Sequence, residues 1–242
     1  MSRTGTQLLN DVKGNLGNRS DGYIGNQAID TVTVKAINLA QLNISRKYQL
    51  PNLLRNATLA LTSVAYQYSF PTTDTNANAI TVRNILVTYL VKSGETTSTP
   101  LIRISVSKQD HAFGYISSSS STGTPRYYTY YNNKLEFFPY PDGAYTAYFR
   151  LCVWHTDFDD NNMGTAQALG TEFDDVIENF ATMVLYKKLQ QIDDAAFWNN
   201  EYKLSLREAI KSVRHNPDWK PSVATLEGAG VTQPWLNPTV RR

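Results

Sequence analysis

The chain has 242 residues, of which 41% are apolar, 18% charged and 12% aromatic, and its formal net charge is +2. That length supports one large domain or two modest ones, and it can bury roughly 70–75% of the unfolded surface without covalent staples. A charged share below the usual quarter argues against charge-driven disorder, and the small net charge excludes both a strongly basic nucleic-acid binder and an acidic tail protein.

Cys152 is the single cysteine, so no internal disulfide can form. With only His111, His155 and His215 beside it, soft metal ligands are scarce, and neither a metal nor a cofactor is expected. The first twenty residues lack the apolar core of a signal peptide, and no run reaches the roughly 18 apolar residues of a spanning helix. The expectation is a protein made in a cytosol, or an assembly built there, with no membrane partner.

Leu8, Leu9, Val12 and Leu16 recur at helical spacing, and Gly17 is a natural stop. A second helix is predicted over about 26–48, where Ile29, Val32, Ala36, Ile37, Ala40 and Ile44 form one apolar stripe. Pro51 closes it, because the residue before a proline is pushed out of helical geometry. From about Arg55 to Trp154 the period changes. Residues 79–91 are rich in β-branched side chains and end in a turn at Lys92-Ser93-Gly94-Glu95.

Tyr127–Tyr131, Lys134–Phe138 and Tyr145–Trp154 read as three further strands of a meander. Asn132-Asn133 suits a two-residue hairpin, and Pro141-Asp142-Gly143 a turn with a left-handed glycine. Between them and the earlier strand, residues 107–115 predict a short helix, and the serine run Ser117–Ser121 a mobile loop.

Helices return after Gly170. Thr171 and Asp174 resemble a capping box, and Phe173, Val176, Ile177, Phe180, Ala181, Val184 and Leu189 form a wide apolar face over about twenty residues. Asp174, Asp175 and Lys187, Lys188 sit where the helix dipole favours them. A last helix carries Trp198, Tyr202, Leu206, Ala209, Ile210 and Val213 on one side and ends before Pro217. The remaining stretch is rich in proline and reads either as a disordered tail or, since it contains the anchors Trp219, Trp235 and Leu236, as an arm that orders on a partner.

Chemistry finds little support. The acidic segment Asp157–Gly164 has Asn162 where a calcium loop needs glycine, and Ala168 where it needs glutamate. Adjacent carboxylates such as Asp159/Asp160, Asp174/Asp175 and Asp193/Asp194 would diverge by about 100° on a helix, so they make no acid–base dyad. The serine run has no nucleophile elbow, and no phosphate loop or dinucleotide fingerprint is present. The expectation is that the protein is not an enzyme and has no catalytic residues. The tyrosines at 127–148 read first as packed faces of a sheet, and second as a stacking platform for bases or sugars.

The fold class expected is therefore α+β. Residues 1–54 and 170–214 form a discontinuous helical bundle, 55–169 an inserted antiparallel β-meander region, and 215–242 an extended C-terminal arm. That order resembles the head-to-tail adaptor (connector, or neck) proteins of tailed bacteriophages. The resemblance is carried by Leu16-Gly17-Asn18-Arg19 ahead of a helix ending in Tyr48-Gln49-Leu50-Pro51, and by Gly123-Thr124-Pro125 leading into a tyrosine strand. It continues in Leu135-Glu136-Phe137-Phe138-Pro139-Tyr140-Pro141-Asp142 and the helical pair over 171–214. The chain departs from the pattern in having Gly170-Thr171 where a proline would open the late helix, and in its serine run.

The resemblance implies a ring of about twelve copies closed by head-to-tail contacts, docked under a portal protein in the neck of a virion assembled in the host cytoplasm. It further implies a tail or nozzle protein below, and DNA passing through the lumen without sequence readout. By the same resemblance Trp219, Trp235, Leu236, Arg241 and Arg242 would form a portal-binding arm. Tyr127, Tyr128, Tyr131, Phe138 and Tyr140 would be interface candidates of the β region. The alternative from the tyrosine-rich strands is a carbohydrate- or host-binding module, or a tail-tube or terminator subunit.

Overall fold

The computed structural model describes residues 1–17, 22–24, 27–63, 65, 67–108, 122–213 and 220–221. It contains both helices and several antiparallel sheets. Two compact units emerge, one of Met1–Leu50 with Asp157–Arg242, the other of Pro51–Thr156.

The first unit is helical. Helix α1 (Gly5–Asn15) opens with a true capping box, in which the Thr4 hydroxyl accepts the Gln7 amide while the Gln7 side chain accepts that of Thr4. It buries Leu8 and Val12, and Gly17 beyond its end takes a φ of 75°. Helix α2 (Ile29–Lys47) starts at the first residue of its apolar stripe, about three residues later than expected. Strands β1 (Tyr23–Ile24) and β2 (Gln27–Ala28) pair antiparallel just ahead of it. It ends where Tyr48 becomes extended, and strand β3 (Tyr48–Gln49) follows.

Helix α3 (Asp174–Lys188) is preceded by a 3-10 turn at Thr171–Phe173. The expected cap by Thr171 does not form: neither Gly170 nor Phe173 offers a side-chain cap. Asp174 instead turns inward to accept the Arg3 backbone amide at 3.0 Å and Gln167 Nε2 at 2.8 Å. Nor does the apolar face run on for twenty residues. Gln190, at a φ of 60°, breaks it after fifteen, and helix α4 (Ile192–Val213) starts two residues later.

Helix α3 packs against α1, α2 and α4. Its contacts include the Phe180 and Tyr202 rings, whose centroids lie 5.1 Å apart. Asn15 Nδ2 donates to Glu178 at 2.7 Å, and the Tyr186 hydroxyl donates to the Asn15 carbonyl at 2.8 Å, tying α1 to α3. Residues 157–169 lie with these helices rather than with the strands. Thr165 and Met163 accept the amides of Gly5 and Thr6, and Asn38 brackets Phe158 through two hydrogen bonds of 2.9 Å.

The second unit holds the long strands. Strands β4 (Leu54–Leu61), β6 (Val82–Lys92), β7 (Ser98–Pro100) and β13 (Tyr145–Val153) form one sheet in the order β4-β13-β6-β7, all antiparallel. Strands β5 (Gln67–Ser69), β8 (Ile102–Arg103), β10 (Tyr127–Tyr131) and β11 (Lys134–Phe138) form another in the order β5-β11-β10-β8, where β8 runs parallel to β10. The short strands β9 (Thr122–Gly123) and β12 (Tyr140–Pro141) pair parallel to each other.

The meander expected from residues 127–154 is therefore corrected. Asn132 and Asn133, at φ 45° and 59°, do make the hairpin of β10 and β11. The chain then leaves that sheet. Pro139 and Pro141 cannot donate to a ladder, and β13 finds β4 and β6 as longer partners, pairing along eight and nine of its residues. Asp142 supplies the expected acceptor, to the Tyr145 hydroxyl, but Gly143 is not left-handed. Phe137, Phe149, Leu90, Leu135 and Leu151 fill the core, and the Phe70 ring touches both Tyr130 and Phe149, one from each sheet.

The expected short helix over 107–115 lies mostly outside the described residues, and the serine run wholly so. Strand β14 (Lys220–Pro221) pairs antiparallel with β3, returning the chain to the end of α2.

The Arg3 guanidinium meets Asp11 at 3.3 Å, Asp175 at 2.8 Å and Glu178. Desolvation of this partly buried cation is outweighed by those carboxylates, so its pKa is raised. Replacing Arg3 with methionine keeps most of the stem and removes the pairs. The expected loss is about 1–2 kcal/mol in urea unfolding, shrinking as salt is added. Gln41 works in the other direction: it is fully buried, and both amide atoms lack a hydrogen-bond partner. Gln41→Met is expected to raise the unfolding free energy by about 1 kcal/mol, read in the same titration.

Candidate functional site

The sites expected from the sequence are surfaces, and the structure sorts them by exposure. Tyr128, Phe138 and Tyr140 are buried, at 3%, 3% and 4% exposed. They cannot offer their rings to a partner, which corrects their assignment as interface residues. Tyr128 stacks towards Phe137 with centroids 6.4 Å apart, and burial pushes its phenol above the ordinary value. Phe138 and Tyr140 contact each other at 5.8 Å. Tyr127 is half-buried, opposite Phe138 on one side and Ile102 on the other.

Tyr131 alone of the five is exposed, and its hydroxyl is engaged. It donates to Glu136, a buried carboxylate that also accepts Gln67 Nε2, each at 3.0 Å. Lys134 in turn donates to Gln67 at 2.8 Å. This chain of polar contacts satisfies Glu136 inside the hairpin, as a buried carboxylate requires. The arm residues Trp219, Trp235, Leu236, Arg241 and Arg242 lie outside the described residues.

The exposed aromatics of the β unit are others. On β13 the residues Tyr145, Ala147, Phe149 and Leu151 point inward, so the pleat turns Thr146, Tyr148 and Arg150 outward. Tyr148 stands directly opposite Tyr89 of β6 and Thr58 of β4, and Tyr89 stands opposite Pro100 of β7. The row Thr58, Tyr148, Tyr89, Pro100 thus crosses all four strands. Tyr148 and Tyr89 are 45% and 44% exposed, and the neighbouring outward residues are Asn56, Ala60, Val87, Val91 and Arg150, with no carboxylate among them. A cross-strand aromatic pair of this kind on an open sheet face suits contact with another surface. The period-2 alternation within 145–153 is the signal that singles out Tyr148; Tyr89 becomes its partner only once the strands pair.

Helix α4 presents a second surface. The expected face of Trp198, Tyr202, Leu206, Ala209, Ile210 and Val213 is buried at Tyr202 and Ala209 and half-buried elsewhere. Phe197 and Leu204, which that face omits, are 57% and 52% exposed on the other side. Their seven-residue spacing is the sequence signal for this stripe.

Groups that could support chemistry are engaged otherwise. Among the described residues no cluster of three or more His, Cys, Asp or Glu side chains could hold a metal ion, and no helix is long and apolar enough to cross a membrane. Cys152 is buried, and desolvation raises its thiol against the opposing influence of Arg83. In the acidic loop the Asp159 carboxylate accepts the amides of Asn161 and Asn162, while the Asn162 side chain bonds the backbone of Asp157 and Asp159.

Truncation separates the two classes of tyrosine. Tyr128→Ala is expected to cost about 3–5 kcal/mol in denaturant unfolding, as for other large core truncations. Tyr148→Ala and Tyr89→Ala are expected to stay within about 1 kcal/mol of the parent, so only those two can report on binding.

The family model described as SU10 adaptor protein matches residues 3–225. A search of curated protein sequences finds no match to this chain.

Proposed function

Because the chain belongs to the SU10 adaptor protein family, a phage adaptor-type family, we propose that it is a ring-forming head-to-tail adaptor of the virion. In this reading it docks under the portal in the neck, lengthens the DNA channel and offers the attachment surface for the tail. The ring would hold about twelve copies in cyclic closure, on helices bundled from both halves of the first unit. DNA would pass the lumen unread, and the protein would act through contact alone, without catalysis or cofactor. The extended arm over 215–242 would reach the portal, and assembly would take place in the host cytoplasm.

The observation that carries this reading is the reach of the family match. From residue 3 to residue 225 it takes in both segments of the helical unit and the whole β-rich unit between them. Two features favour it physically. An open sheet face carries the exposed Tyr89–Tyr148 pair, and α4 carries exposed Phe197 and Leu204, so the single chain has more than one apolar surface to offer. A subunit that binds unlike neighbours needs several such surfaces.

Mixing purified chain with purified portal complexes and imaging them by electron microscopy tests the proposal. The expected outcome is an added ring on the portal, weakened or lost when residues 217–242 are deleted. Failure to associate, with the arm and without it, would overturn the adaptor reading.

A further inference from the structure

Two helical stripes of the first unit face solvent and carry opposite charge. On α4, Phe197 and Leu204 are seven residues apart, so they lie within about 20° of each other around the helix. Asp193, Glu201 and Glu208 fall within about 40° of Phe197, as does Lys211, while Arg207 lies about 80° away. The side that α4 buries, marked by Ala195, Tyr202 and Ala209, is roughly opposite, about 120–160° away. On α2, Leu39 is 45% exposed, and the exposed cations Lys35 and Arg46 lie within about 40° of it. No carboxylate occurs between Thr31 and Lys47.

The stripes also match in length. Lys35 to Arg46 and Phe197 to Glu208 each span eleven steps, about 16 Å at the helical rise. Each sets leucine or phenylalanine between charged residues, one stripe basic and the other acidic.

We propose that the Lys35–Leu39–Arg46 stripe of α2 packs against the Phe197–Glu201–Leu204–Glu208 stripe of α4 on the next copy of this chain. The inference rests on the ring reading above and names the contact that builds the ring. A second copy is the occupant because both halves of the complementary pair are carried by one polypeptide. Pairing α4 with α4 would set carboxylates against carboxylates, and pairing α2 with α2 would oppose cations. The favoured contact joins unlike surfaces, so it leaves a free stripe at each end and propagates around a closed ring instead of stopping at a two-fold dimer. The apolar residues supply burial, and the charges fix which stripe meets which.

The test uses full-length chain added to purified portal complexes, with rings counted by electron microscopy and the fold of each variant checked by circular dichroism. The variants are Lys35→Glu with Arg46→Glu, Glu201→Lys with Glu208→Lys, and the four changes combined. Each reversal alone is expected to lower the fraction of portals bearing rings about tenfold or more, and the combined chain to recover most of it. If a reversal unfolds the helix, Leu39→Ser takes its place, an exposed site whose loss weakens the contact without touching the core.

Rings undiminished by either reversal, or a folded combined chain that forms none, would overturn this contact while leaving the adaptor reading intact. So would loss of binding by single subunits to the portal, which would assign the stripe to the portal instead. A parent chain that never rings the portal overturns both.

Discussion

The helical unit depends on a clasp between chain segments that the β-rich unit holds far apart in sequence. Helices α1 and α2 precede Pro51, and α3 and α4 follow Thr156, so the bundle contacts must close over the whole insertion. Closure entropy grows only with the logarithm of loop length, about 0.6 kcal/mol per doubling, so a long insertion is cheap once good contacts exist. Those contacts begin at the third residue. Arg3 donates its amide to Asp174 and its guanidinium to Asp175 and Glu178, while Gly5 and Thr6 bond the backbone of Thr165 and Met163. Gly5 is needed there, because a Cβ would meet the Phe158 ring at 2.8 Å. The start of α1 is thereby fixed against the start of α3, and Asn15 and Tyr186 repeat the connection one helix-length on.

Helical periodicity made all four helices legible, because each buries a stripe at 3.6 spacing. Their ends were less so, and the two threonines show why. Thr4-Gly5-Thr6-Gln7 and Thr171-Glu172-Phe173-Asp174 carry similar local patterns, ending in glutamine and in aspartate, yet only the first forms a capping box. The second loses its acceptor to Arg3 and Gln167, partners that lie 171 and 7 residues away. A cap is a local preference, and a buried carboxylate settles for whichever donors the packing brings. The break at Gln190 has no proline or glycine to announce it; there the tight packing of α4 on α3 wins over a helical continuation.

Strand character is legible in the sequence, but strand partners are not, since pairing is decided by registers between distant segments. Residues 127–138 and 145–153 looked like one meander because their turns are good. The length of β4 and β6 drew β13 into a different sheet. That reassignment changed which tyrosines matter. Tyr128 and Tyr140 became core, while Tyr148 and Tyr89, distant in sequence, became neighbours on an open face. Composition could say that aromatics were abundant; only the pleat could say which of them face water.

Net charge hides a comparable division. A total of +2 excludes a long electrostatic footprint, yet it does not require each face to be neutral. Along α2 the exposed charges between Thr31 and Lys47 are all positive, and around Phe197 and Leu204 on α4 they are mostly negative. Such segregation gives direction to an encounter between identical subunits: it favours unlike faces and penalises like ones. In the ring proposed above, that asymmetry would set the one order in which copies meet.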